Sequence, residues 1–564
     1  MRTISPALLA LQRLYHWEHT QPGQIALVQP LGQGAVLELT WSQVADQVRR
    51  MAAHLQAQGW ESGSKVAILS KNCAWWLMSD LAIWMAGHVS VPLYPTLGPD
   101  TLAHILRHSE ARACFIGKLD EWEHMAPGVP TDLPCISYPL SPPGASRRCS
   151  AWDAICTHTA PLAGEPTRPA ADLATLIYTS GTTGVPKGVM HSFGNFAWAI
   201  EQGLRRIPMG PSDRLLSYLP LAHVVERLLI EHGWLQTGFR VYFAESLDTF
   251  TTDLQRARPT VFFSVPRLWV KFQNGIHQKL SPARLKLLLR LPLVGTLVRR
   301  KILHGLGLAQ CRMAAGGAAP MPLALLQWFR GIGLPINEGY GMTENLAISH
   351  LTVPGINQEG TVGPPYDGVE HRIDPESGEI QMRSQALMLG YYKAPELTRD
   401  AFTPDGWLRT GDQGFIDNHG WLHITGRVKD LFKTSKGKYV APAPIEDKLV
   451  MHKSIEACVV SGSGSLGQPL GIVMLNAQAM QCLGDAAAKA ALEASLVRHL
   501  HRVNATLEPH ERLQCLVVAR QPWTVDNDLI TPTFKVKRNR IENVYGAQYA
   551  DWAASGREVV WQNG

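Results

Sequence analysis

The sequence has 564 residues, too many for one domain and enough for roughly two or three domains with separate hydrophobic cores. Apolar residues make up 45% and charged residues 18%, which excludes a largely disordered chain, and no apolar run is long enough to span a membrane. The nine cysteines show no CxxC pair and no regular spacing, which argues against a zinc site or a disulfide framework.

The amino-terminal part of the sequence predicts short helices and no signal peptide. In residues 1–17 polar side chains interrupt the apolar stretch and no small-residue cleavage site follows, so we expect an amphipathic helix. Together with the scattered cysteines, this favours a cytoplasmic protein. Thr40 and Gln43 can form a capping box, and apolar residues at helical spacing over 44–55 predict a helix that ends at Gly59.

The order of the remaining elements predicts an α/β fold with two domains. Short β-branched runs alternate with helical patterns up to about residue 350, which is typical of layered, mostly parallel α/β structure. Over 360–426 short strands are divided by Gly, Pro, Asp and Asn, which predicts a β-rich subdomain. We expect a large amino-terminal domain over 1–426 and a small α+β domain over 427–564 with a helix from Ala486 to Val503. The predicted buried strands are 66–70, 113–116, 215–219, 241–244 and 261–265.

The middle of the chain has an uneven charge distribution. Residues 254–337 contain thirteen Lys and Arg residues and no Asp or Glu. Inside this window, residues 281–306 alternate leucine runs with basic residues, and Pro292 and Gly295 predict a break into two short helices. Such a segment predicts peripheral contact with an anionic membrane; a solvated basic face over a packed core is the alternative. A nucleic-acid interface is not expected, because no basic patch with interleaved aromatic residues is present.

The strongest local signal is a strand that runs into a loop rich in glycine and hydroxyl groups over residues 179–188. Its glycines let backbone N–H groups face an anion, and Lys187 adds a positive charge, so we expect it to hold a polyphosphate and to lead into a helix beginning near Val189. It is not a Walker A loop, because Pro186 and Gly188 stand where glycine and Ser or Thr are required. A structural glycine-rich turn is the alternative. The candidate phosphate-binding residues are Thr179, Ser180, Gly181, Thr182, Thr183 and Gly184.

This loop resembles the signature loop of the adenylate-forming (AMP-binding) superfamily, which includes acyl-CoA synthetases, luciferases and peptide-synthetase adenylation domains. Further segments resemble the motifs of that family in the same order, and the resemblance covers roughly residues 20–545. One such motif is weak alone, but five in order identify the chain as a member. The other matching segments are 316–320, 340–344, 410–412 with 426–427, and 531–535.

The resemblance implies a role for each matched residue. Lys187 and Lys535 would be the catalytic lysines, and Asp412 suits a ribose because one carboxylate can accept from two vicinal hydroxyls. A surface turn is the alternative for Asp412. The implied ligands are Gly316, Gly317 and Ala318 for adenine, Tyr340 and Gly341 for the nucleotide more generally, Thr343 for phosphate, Glu344 and Thr179 for magnesium, and Asp412 and Arg427 for ribose.

Two further segments, 218–227 and 259–269, are similar to the long-chain fatty acyl-CoA synthetases. They imply ATP-dependent ligation of a medium- to long-chain fatty acid to coenzyme A through an acyl-adenylate, with release of AMP and pyrophosphate. A carboxylic acid with a pKa near that of Glu, about 4.3, is already ionised at neutral pH, so no general base is required. His223 is implied to line the acyl and adenylate pocket; a histidine that begins a helix is the alternative.

Residues 426–439 resemble the hinge and thiol-transfer segment of the family. Lys429 falls at the hinge, and Lys433 and Gly437 fall where coenzyme A would pass. The resemblance implies a mobile carboxy-terminal domain, in which Lys535 serves adenylation and rotation about Lys429 then brings in the thiol-transfer loop. A solvated lysine-rich loop is the alternative. Two other functions stay open: a ligase that loads a carrier protein, and a catalytically silent fatty-acid or nucleotide-binding protein.

Overall fold

The computed structural model describes residues 4–180, 185–353, 360–435, 438–462, 466–531 and 535–562. Helices and strands are interspersed, which confirms the predicted α/β class. In chain order the strands are β1 (Ile25–Gly32), β2 (Ala35–Thr40), β3 (Lys65–Leu69), β4 (Val89–Leu93), β5 (Ala111–Ile116), β6 (Cys135–Ser137), β7 (Ser150–Ala151), β8 (Leu173–Ser180), β9 (Pro186–Ser192), β10 (Arg214–Ser217), β11 (Arg240–Phe243), β12 (Val261–Ser264), β13 (Met313–Gly317), β14 (Ile336–Tyr340), β15 (His350–Leu351), β16 (Glu370–Ile373), β17 (Glu379–Arg383), β18 (Gly390–Tyr391), β19 (Leu408–Ile416), β20 (Leu422–Arg427), β21 (Phe432–Lys433), β22 (Tyr439–Val440), β23 (Ile455–Ser461), β24 (Leu470–Leu475), β25 (Leu516–Val518) and β26 (Val559–Trp561).

The helices connect these strands along the whole chain. Within the described ranges, none of them is long and apolar enough to cross a bilayer. In chain order they are α1 (Ala10–Thr20), α2 (Trp41–Gln56), α3 (Ala74–Met85), α4 (Pro99–Ser109), α5 (Trp122–Met125), α6 (Pro143–Ser146), α7 (Trp152–His158), α8 (Phe193–Arg206), α9 (Val224–Glu226), α10 (Gly233–Thr237), α11 (Phe250–Ala257), α12 (Pro266–Lys279), α13 (Pro282–Arg290), α14 (Pro292–Gly305), α15 (Leu323–Gly331), α16 (Pro395–Asp400), α17 (Ala443–Leu449), α18 (Ala477–Gln481), α19 (Ala486–Asn504), α20 (Arg538–Tyr545) and α21 (Tyr549–Ala554).

The chain divides into two compact units. The first unit comprises residues 1–319, 326–371 and 382–408, and the second comprises 320–325, 372–381 and 409–564. The predicted domain boundary at residues 426–427 stays a prediction.

The largest sheet described in the first unit has eight strands in the order β18-β9-β8-β4-β3-β5-β6-β7. Strands β3 to β8 are paired with one another in parallel. Strand β9 is antiparallel to both of its neighbours, β8 and β18. Two smaller sheets have the orders β10-β11-β1-β2 and β12-β13-β14-β15. The five predicted buried strands are confirmed, because they correspond to β3, β5, β10, β11 and β12.

The predicted capping box at the start of α2 is also confirmed. The Thr40 hydroxyl accepts from the Gln43 amide at 3.3 Å, and the Gln43 side chain accepts from the Thr40 amide at 2.9 Å. Both bonds satisfy donors at the helix terminus that have no partner within the helix. The apolar residues at helical spacing, Val44, Val48 and Leu55 among them, face the core and are fully buried.

A charged cluster lies inside the core of the first unit. The Arg227 guanidinium donates to Asp80 and, at 3.1 Å, to Glu231, and also to the hydroxyls of Thr175 and Ser90. The side chains of Arg227, Asp80 and Glu231 are all 0% exposed. Burial raises the pKa of both carboxyls, that of Glu231 well above its ordinary value, and the Arg227 guanidinium opposes this shift by favouring their charged forms.

The predicted helix near Val189 is wrong, because residues 186–192 form strand β9. This strand pairs with β8 from Leu173↔Ser192 to Ser180↔Pro186, so the phosphate-loop candidate connects the two strands of a hairpin. The helix begins at Phe193 instead, where Ser192 forms a capping box with Asn195. Ser192 is the N-cap signal; Val189 carries none and is buried in the sheet. A helix N-terminus therefore does not follow the loop.

The basic segment forms two helices, α13 and α14. The predicted break at Pro292 is confirmed, since α14 begins at that residue. The predicted break at Gly295 is wrong, because Gly295 lies inside α14. A Cβ at this position would lie 2.7 Å from the Leu289 carbonyl oxygen, so glycine permits close packing against the preceding turn.

The second unit is built around antiparallel and mixed sheets. The larger of these have the orders β16-β17-β19-β20 and β23-β24-β25-β26, and β21 pairs with β22. The predicted helix over 486–503 is confirmed as α19, which begins after Asp485. The Asp485 carboxylate caps it by accepting from the Ala487 amide at 2.8 Å.

Candidate active site

The first unit places a cation, a phenol and a carboxylate next to one another. Lys187 lies on β9 opposite Thr179 of β8. Its ammonium lies over the Tyr391 ring, 5.1 Å from the centroid. The Tyr391 hydroxyl donates to Glu344 Oε1 at 2.8 Å. Strand β18 brings Tyr391 to this position because it pairs with β9, with Tyr391 opposite Val189.

The chemistry of this group follows from the protonation of its phenol. Burial and the neighbouring Glu344 carboxylate raise the pKa of Tyr391, so Tyr391 stays a neutral donor. A hydrogen bond to an ionised acceptor is stronger than one between neutral groups. The amide of Met388 also donates to the Glu344 carbonyl oxygen at 2.8 Å. Glu344 is thus held in place through both its backbone and its side chain.

A buried histidine fixes the neighbouring Thr343. The Thr343 carbonyl oxygen accepts from His191 Nε2 at 2.7 Å. Burial lowers the pKa of His191 to about 4, so the ring is neutral at pH 7 and carries its proton on Nε2 for this bond. Strand β9 therefore positions the predicted phosphate ligand Thr343 through His191 and carries Lys187 itself.

The predicted adenine segment, residues 316–320, begins within the last two residues of β13. Side chains must be small at this point. Strand β13 runs parallel to β14, with Gly317 opposite Gly339. A Cβ on Gly317 would lie 2.6 Å from the Gly339 carbonyl oxygen, so only glycine allows this spacing. Ala318 has a positive φ of 66°, and Gly316 is paired with Glu338. Gly316 and Gly317 are themselves buried at the end of the strand, and the chain becomes exposed only from Ala319 onward.

The motif that follows β14 makes a tight turn. Tyr340 ends the strand and pairs with His350, and their ring centroids are 6.3 Å apart. A Cβ on Gly341 would lie 2.5 Å from the backbone of Ala347, so glycine is required at this position. The turn continues directly into the short helical segment Thr343–Asn345, which carries Glu344.

His223 begins a helix, as in the alternative to a role in lining the acyl pocket. Its Nδ1 accepts from the Val225 amide at 3.3 Å, and α9 starts at the next residue. Glu226 holds the preceding loop by accepting from the Ser217 hydroxyl and the Tyr218 amide, both at 2.9 Å. Burial raises the pKa of Glu226 to about 8, so it is mostly protonated at neutral pH. A role for His223 in lining the acyl pocket stays a prediction.

In the second unit, the two predicted ribose ligands form a pair. Asp412 and Arg427 are opposite each other on β19 and β20. Arg427 Nε donates to Asp412 Oδ1 at 3.0 Å. Gly411 adopts a positive φ of 72°, and its amide donates to Glu379 Oε1 at 2.8 Å. Asp412 is buried, so this pairing orients its carboxylate.

Lys535 and Lys433 also lie in the second unit. Lys535 is exposed, and its amide donates to the Thr531 hydroxyl at 3.0 Å. The Lys433 ammonium lies over the Tyr439 ring, 4.7 Å from the centroid. Five predicted ligands, Gly181, Thr182, Thr183, Gly184 and Gly437, lie outside the described residues, and the side chain of Ser180 does too.

Three residues of this arrangement were not predicted from the sequence: Tyr391, His191 and Glu226. Each acts through a partner more than eight residues away or through burial, neither of which periodicity reveals. For Glu226 the signal was an acidic residue in the mostly apolar stretch Leu221 to Ile230, which predicts a buried partner. For Tyr391 and His191 no such local signal exists.

The donor set is compatible with magnesium. Within the described ranges no group of three or more His, Cys, Asp or Glu side chains could hold a metal ion. Magnesium usually keeps several waters and binds through one or two carboxylates together with substrate phosphates. Tyr391 engages one oxygen of Glu344, and a carboxylate has lone pairs on both oxygens, so Glu344 fits as such a ligand.

The chain is similar to known proteins over nearly its whole length. A long-chain-fatty-acid–CoA ligase of Mycobacterium bovis, FadD15, is 31% identical over 582 residues, which cover 95% of this chain and 95% of the relative. The peroxisomal long chain acyl-CoA synthetase 7 of Arabidopsis thaliana is 28% identical, with 92% of this chain and 82% of the relative covered.

Solved structures share the fold. The adenylation domain of a carboxylate reductase from Mycobacterium chelonae has a TM-score of 0.81 at 22% identity, with 98% of this chain and 92% of that chain covered. The anthranilate CoA ligase AuaEII in complex with anthranoyl-AMP has a TM-score of 0.76 at 20% identity, covering 96% and 98%. The predicted adenylate-forming fold is confirmed. The family model for AMP-binding enzymes matches residues 14–392. The chain belongs to the AMP-binding enzymes, the adenylate-forming family.

Proposed function

We propose that the chain ligates a medium- to long-chain fatty acid to coenzyme A, using ATP and forming an acyl-adenylate. The observation that carries the proposal is the series Lys187–Tyr391–Glu344, in which a cation on β9, next to the phosphate-loop candidate, lies close to an oriented carboxylate. The similarity to long-chain-fatty-acid–CoA ligases over 95% of the chain supports the acyl substrate.

In the first half-reaction the fatty-acid carboxylate attacks the α-phosphorus of ATP. A bond forms between the carboxylate oxygen and phosphorus, and the bond to the bridging oxygen breaks as pyrophosphate leaves with the electron pair. Both reactants are anions, so catalysis consists of holding them together and neutralising the developing charge. Lys187 supplies positive charge for the phosphates, and Lys535 is proposed to do so for the α-phosphate.

Glu344 and Thr179 are the residues that would hold magnesium. When bound, magnesium supplies charge neutralisation for the phosphate oxygens. The protein itself keeps the Glu344 carboxylate oriented through Tyr391 and holds the Glu344 backbone through the Met388 amide. Asp412, paired with Arg427, is proposed to accept from the ribose hydroxyls.

In the second half-reaction the thiol of coenzyme A attacks the acyl carbon of the adenylate. The thiol loses its proton to solvent, a thioester bond forms, and AMP leaves with the electrons of the acyl–oxygen bond. The segment with Lys433 and Gly437 is proposed to serve this step. The proposal is tested by incubating the protein with palmitate, ATP, magnesium and coenzyme A and measuring pyrophosphate release together with acyl-CoA by mass spectrometry.

Replacing Tyr391 with phenylalanine should slow adenylation. The change removes only the hydroxyl that donates to Glu344 and keeps the ring under the Lys187 ammonium. A hydrogen bond to a charged group contributes about 1.5–3 kcal/mol, so we expect the rate of pyrophosphate release to fall by about tenfold or more. The measurement is pyrophosphate release at saturating fatty acid over a range of ATP concentrations.

The adjacent tyrosine provides a matched control. The Tyr392 hydroxyl donates to Glu110 Oε2 at 2.9 Å, outside the group described above, so Tyr392→Phe should leave the rate unchanged. Equal rates for wild type and Tyr391→Phe would show that orientation of Glu344 does not matter for adenylation.

A substrate screen should show preference for medium- to long-chain fatty acids over acetate, amino acids and aromatic acids. The reason is the similarity of segments 218–227 and 259–269 to long-chain enzymes, supported by the full-length relatives. The screen measures acyl-CoA formation with saturated acids of increasing length. Benzoate and anthranilate belong in it, because an anthranilate CoA ligase shares the fold. Turnover of acetate or benzoate equal to that of palmitate would refute the substrate assignment.

Loading of a carrier protein is the second candidate. It is favoured by the adenylation and carrier didomain of a carboxylic acid reductase from Segniliparus rugosus, which shares the fold with a TM-score of 0.79 at 21% identity, over 98% of this chain and 84% of that chain. Pyrophosphate assays with and without coenzyme A separate the candidates, since free acyl-CoA forms only with the ligase. A silent binding protein would release no pyrophosphate under either condition.

The proposed substrate also bears on where the enzyme works. Long-chain fatty acids partition into bilayers, so we propose that the chain contacts membranes peripherally. No helix in the described part of the chain is long and apolar enough to cross a bilayer.

A further inference from the structure

We propose that one exposed face of helices α13 and α14 docks on the surface of an anionic lipid bilayer. Three leucines of this helical pair point into solvent: Leu287 is 63% exposed, Leu293 83% and Leu297 65%. Exposed leucines are common singly, but three of them on two adjacent helices form an apolar surface that needs a partner.

On α14 the apolar and basic residues share one face. Leu293 and Leu297 are one helical turn apart, and Arg300, Lys301 and His304 follow at spacings of three, one and three residues. All five are exposed. Because positions i, i+4, i+7, i+8 and i+11 lie along one side of an α-helix, the leucines and the cations can meet the same surface together.

On α13 the pattern repeats over a shorter length. Leu287 is exposed beside Lys286, and Arg290 follows one turn later. The opposite side of α13 is anchored, since Leu285 is buried. With Leu285 buried on the inside, Leu287 gives the helix an outward apolar position that packing against the protein does not use.

Contacts within the first unit hold this helical pair in place. Arg299 Nε donates to the Gly331 carbonyl oxygen at 3.1 Å, and its Nη2 donates to the Leu289 carbonyl oxygen at 3.4 Å. Gly295 permits the close approach of α14 to the turn after α13. The anchoring cation Arg299 is therefore distinct from Arg300 and Lys301, which point outward.

The charge around this surface selects an anionic lipid as the occupant. Residues 254–337 contain no acidic residue, so the cations on the exposed face have no carboxylate neighbours from this stretch of sequence. A second copy of the chain would bring the same basic helices and be repelled. Nucleic acid would meet the cations but gain nothing from the leucines. An anionic bilayer accepts both, with leucines below the headgroups and cations among them.

The experiment is vesicle flotation of the full chain. Vesicles of phosphatidylcholine with phosphatidylglycerol are compared with vesicles of phosphatidylcholine alone, at low salt. We expect the protein to float with the anionic vesicles, to float far less with neutral ones, and to be released at high salt as the cations are screened. The readout involves no catalysis, so failure of this proposal and failure of the proposed function are distinguishable.

Two variants test the two halves of the face. Arg300→Glu with Lys301→Glu should reduce the bound fraction at least about tenfold, because it reverses two charges at the lipid surface. Leu293→Ser with Leu297→Ser should weaken binding even at low salt. Because all four side chains are exposed, thermal unfolding should match wild type.

Matched controls carry the same changes elsewhere. Arg112→Glu with Arg147→Glu makes the same change in net charge at exposed positions outside the helical pair, and Leu247→Ser removes a leucine that is 84% exposed. Both should bind as wild type does. The proposal is overturned if the protein stays unbound by anionic vesicles at low salt, if the charge control weakens binding as much as Arg300→Glu with Lys301→Glu, or if RNA but not vesicles binds the protein.

Discussion

Lys535→Ala should reduce adenylation of a fatty acid by about a hundredfold or more, while most of the coenzyme A-dependent turnover of supplied acyl-AMP remains. An oriented cation that acts only on charge developing in the transition state contributes on the order of 3–4 kcal/mol. Once acyl-AMP is supplied, the proposed role of Lys535 is already complete. The two half-reactions are measured separately, as pyrophosphate release and as acyl-CoA formation from acyl-AMP.

The structure offers a control for this substitution in the next lysine along the same segment. Lys537 forms an ion pair with Asp528, which also pairs with Arg540 at 2.6 Å. The backbone amide and carbonyl of Lys535 bond the Thr531 hydroxyl and amide, and alanine preserves both bonds. Lys537→Ala should therefore change adenylation only slightly. If Lys535→Ala impaired both half-reactions equally in a folded protein, the proposed division of labour would be wrong.

Gly437→Trp should give the converse pattern. The position matches the segment through which coenzyme A is implied to pass, and an indole would obstruct it. Pyrophosphate release in a single turnover should persist while acyl-CoA formation falls. A variant that lost both steps would indicate that the segment is needed for adenylation too.

Local signals were sufficient to predict much of the fold. The Thr40–Gln43 capping box and the spacing of Val44 to Leu55 lie within one stretch of sequence, and the helix formed there as predicted. The five buried strands were likewise recognisable because each is a short apolar run bounded by polar residues. Pro292 began a new helix because its ring is incompatible with a helix interior.

Predictions that depended on distant partners failed or were not possible. Residues 186–192 pair with β8 and β18, and this pairing overrides the expectation of a helix after a phosphate loop. The contact of Tyr391 with Lys187 joins residues about 200 positions apart, which no periodicity encodes. Gly295 lies inside its helix and does not end it. The missing side chain allows close packing against the Leu289 carbonyl oxygen.

Substitution of Arg227 is expected to have the largest effect on the stability of the fold. The sequence contains part of the signal for its buried ion pair. Helix α3 is buried along its whole length and contains one acidic residue, Asp80, among eleven others. Such a residue predicts a buried cationic partner. Its partner is Arg227, on the π-helical turn Arg227–His232.

Arg227→Met should lower the free energy of unfolding of the first unit by about 3–5 kcal/mol, because it leaves the Asp80 charge buried without a cation. Burial already raises the pKa of Asp80, and removing Arg227 raises it further. A group whose pKa is higher in the folded than in the unfolded state stabilises the fold at low pH and loses that contribution as pH rises. The deficit relative to wild type should therefore grow from acidic to alkaline pH, measured by urea unfolding followed by tryptophan fluorescence.

Two further variants decide whether an unpaired charge is the cause. Arg227→Met with Asp80→Asn removes both charges, so it should be more stable than Arg227→Met alone and should lose the pH dependence that Asp80 causes. Arg205→Met breaks an ion pair with Glu201 on the surface of α8, which should cost less than about 1 kcal/mol. If the double variant were no more stable than Arg227→Met, lost packing of the guanidinium against Trp76, Trp84 and Phe196 would account for the effect, and the buried charge would not.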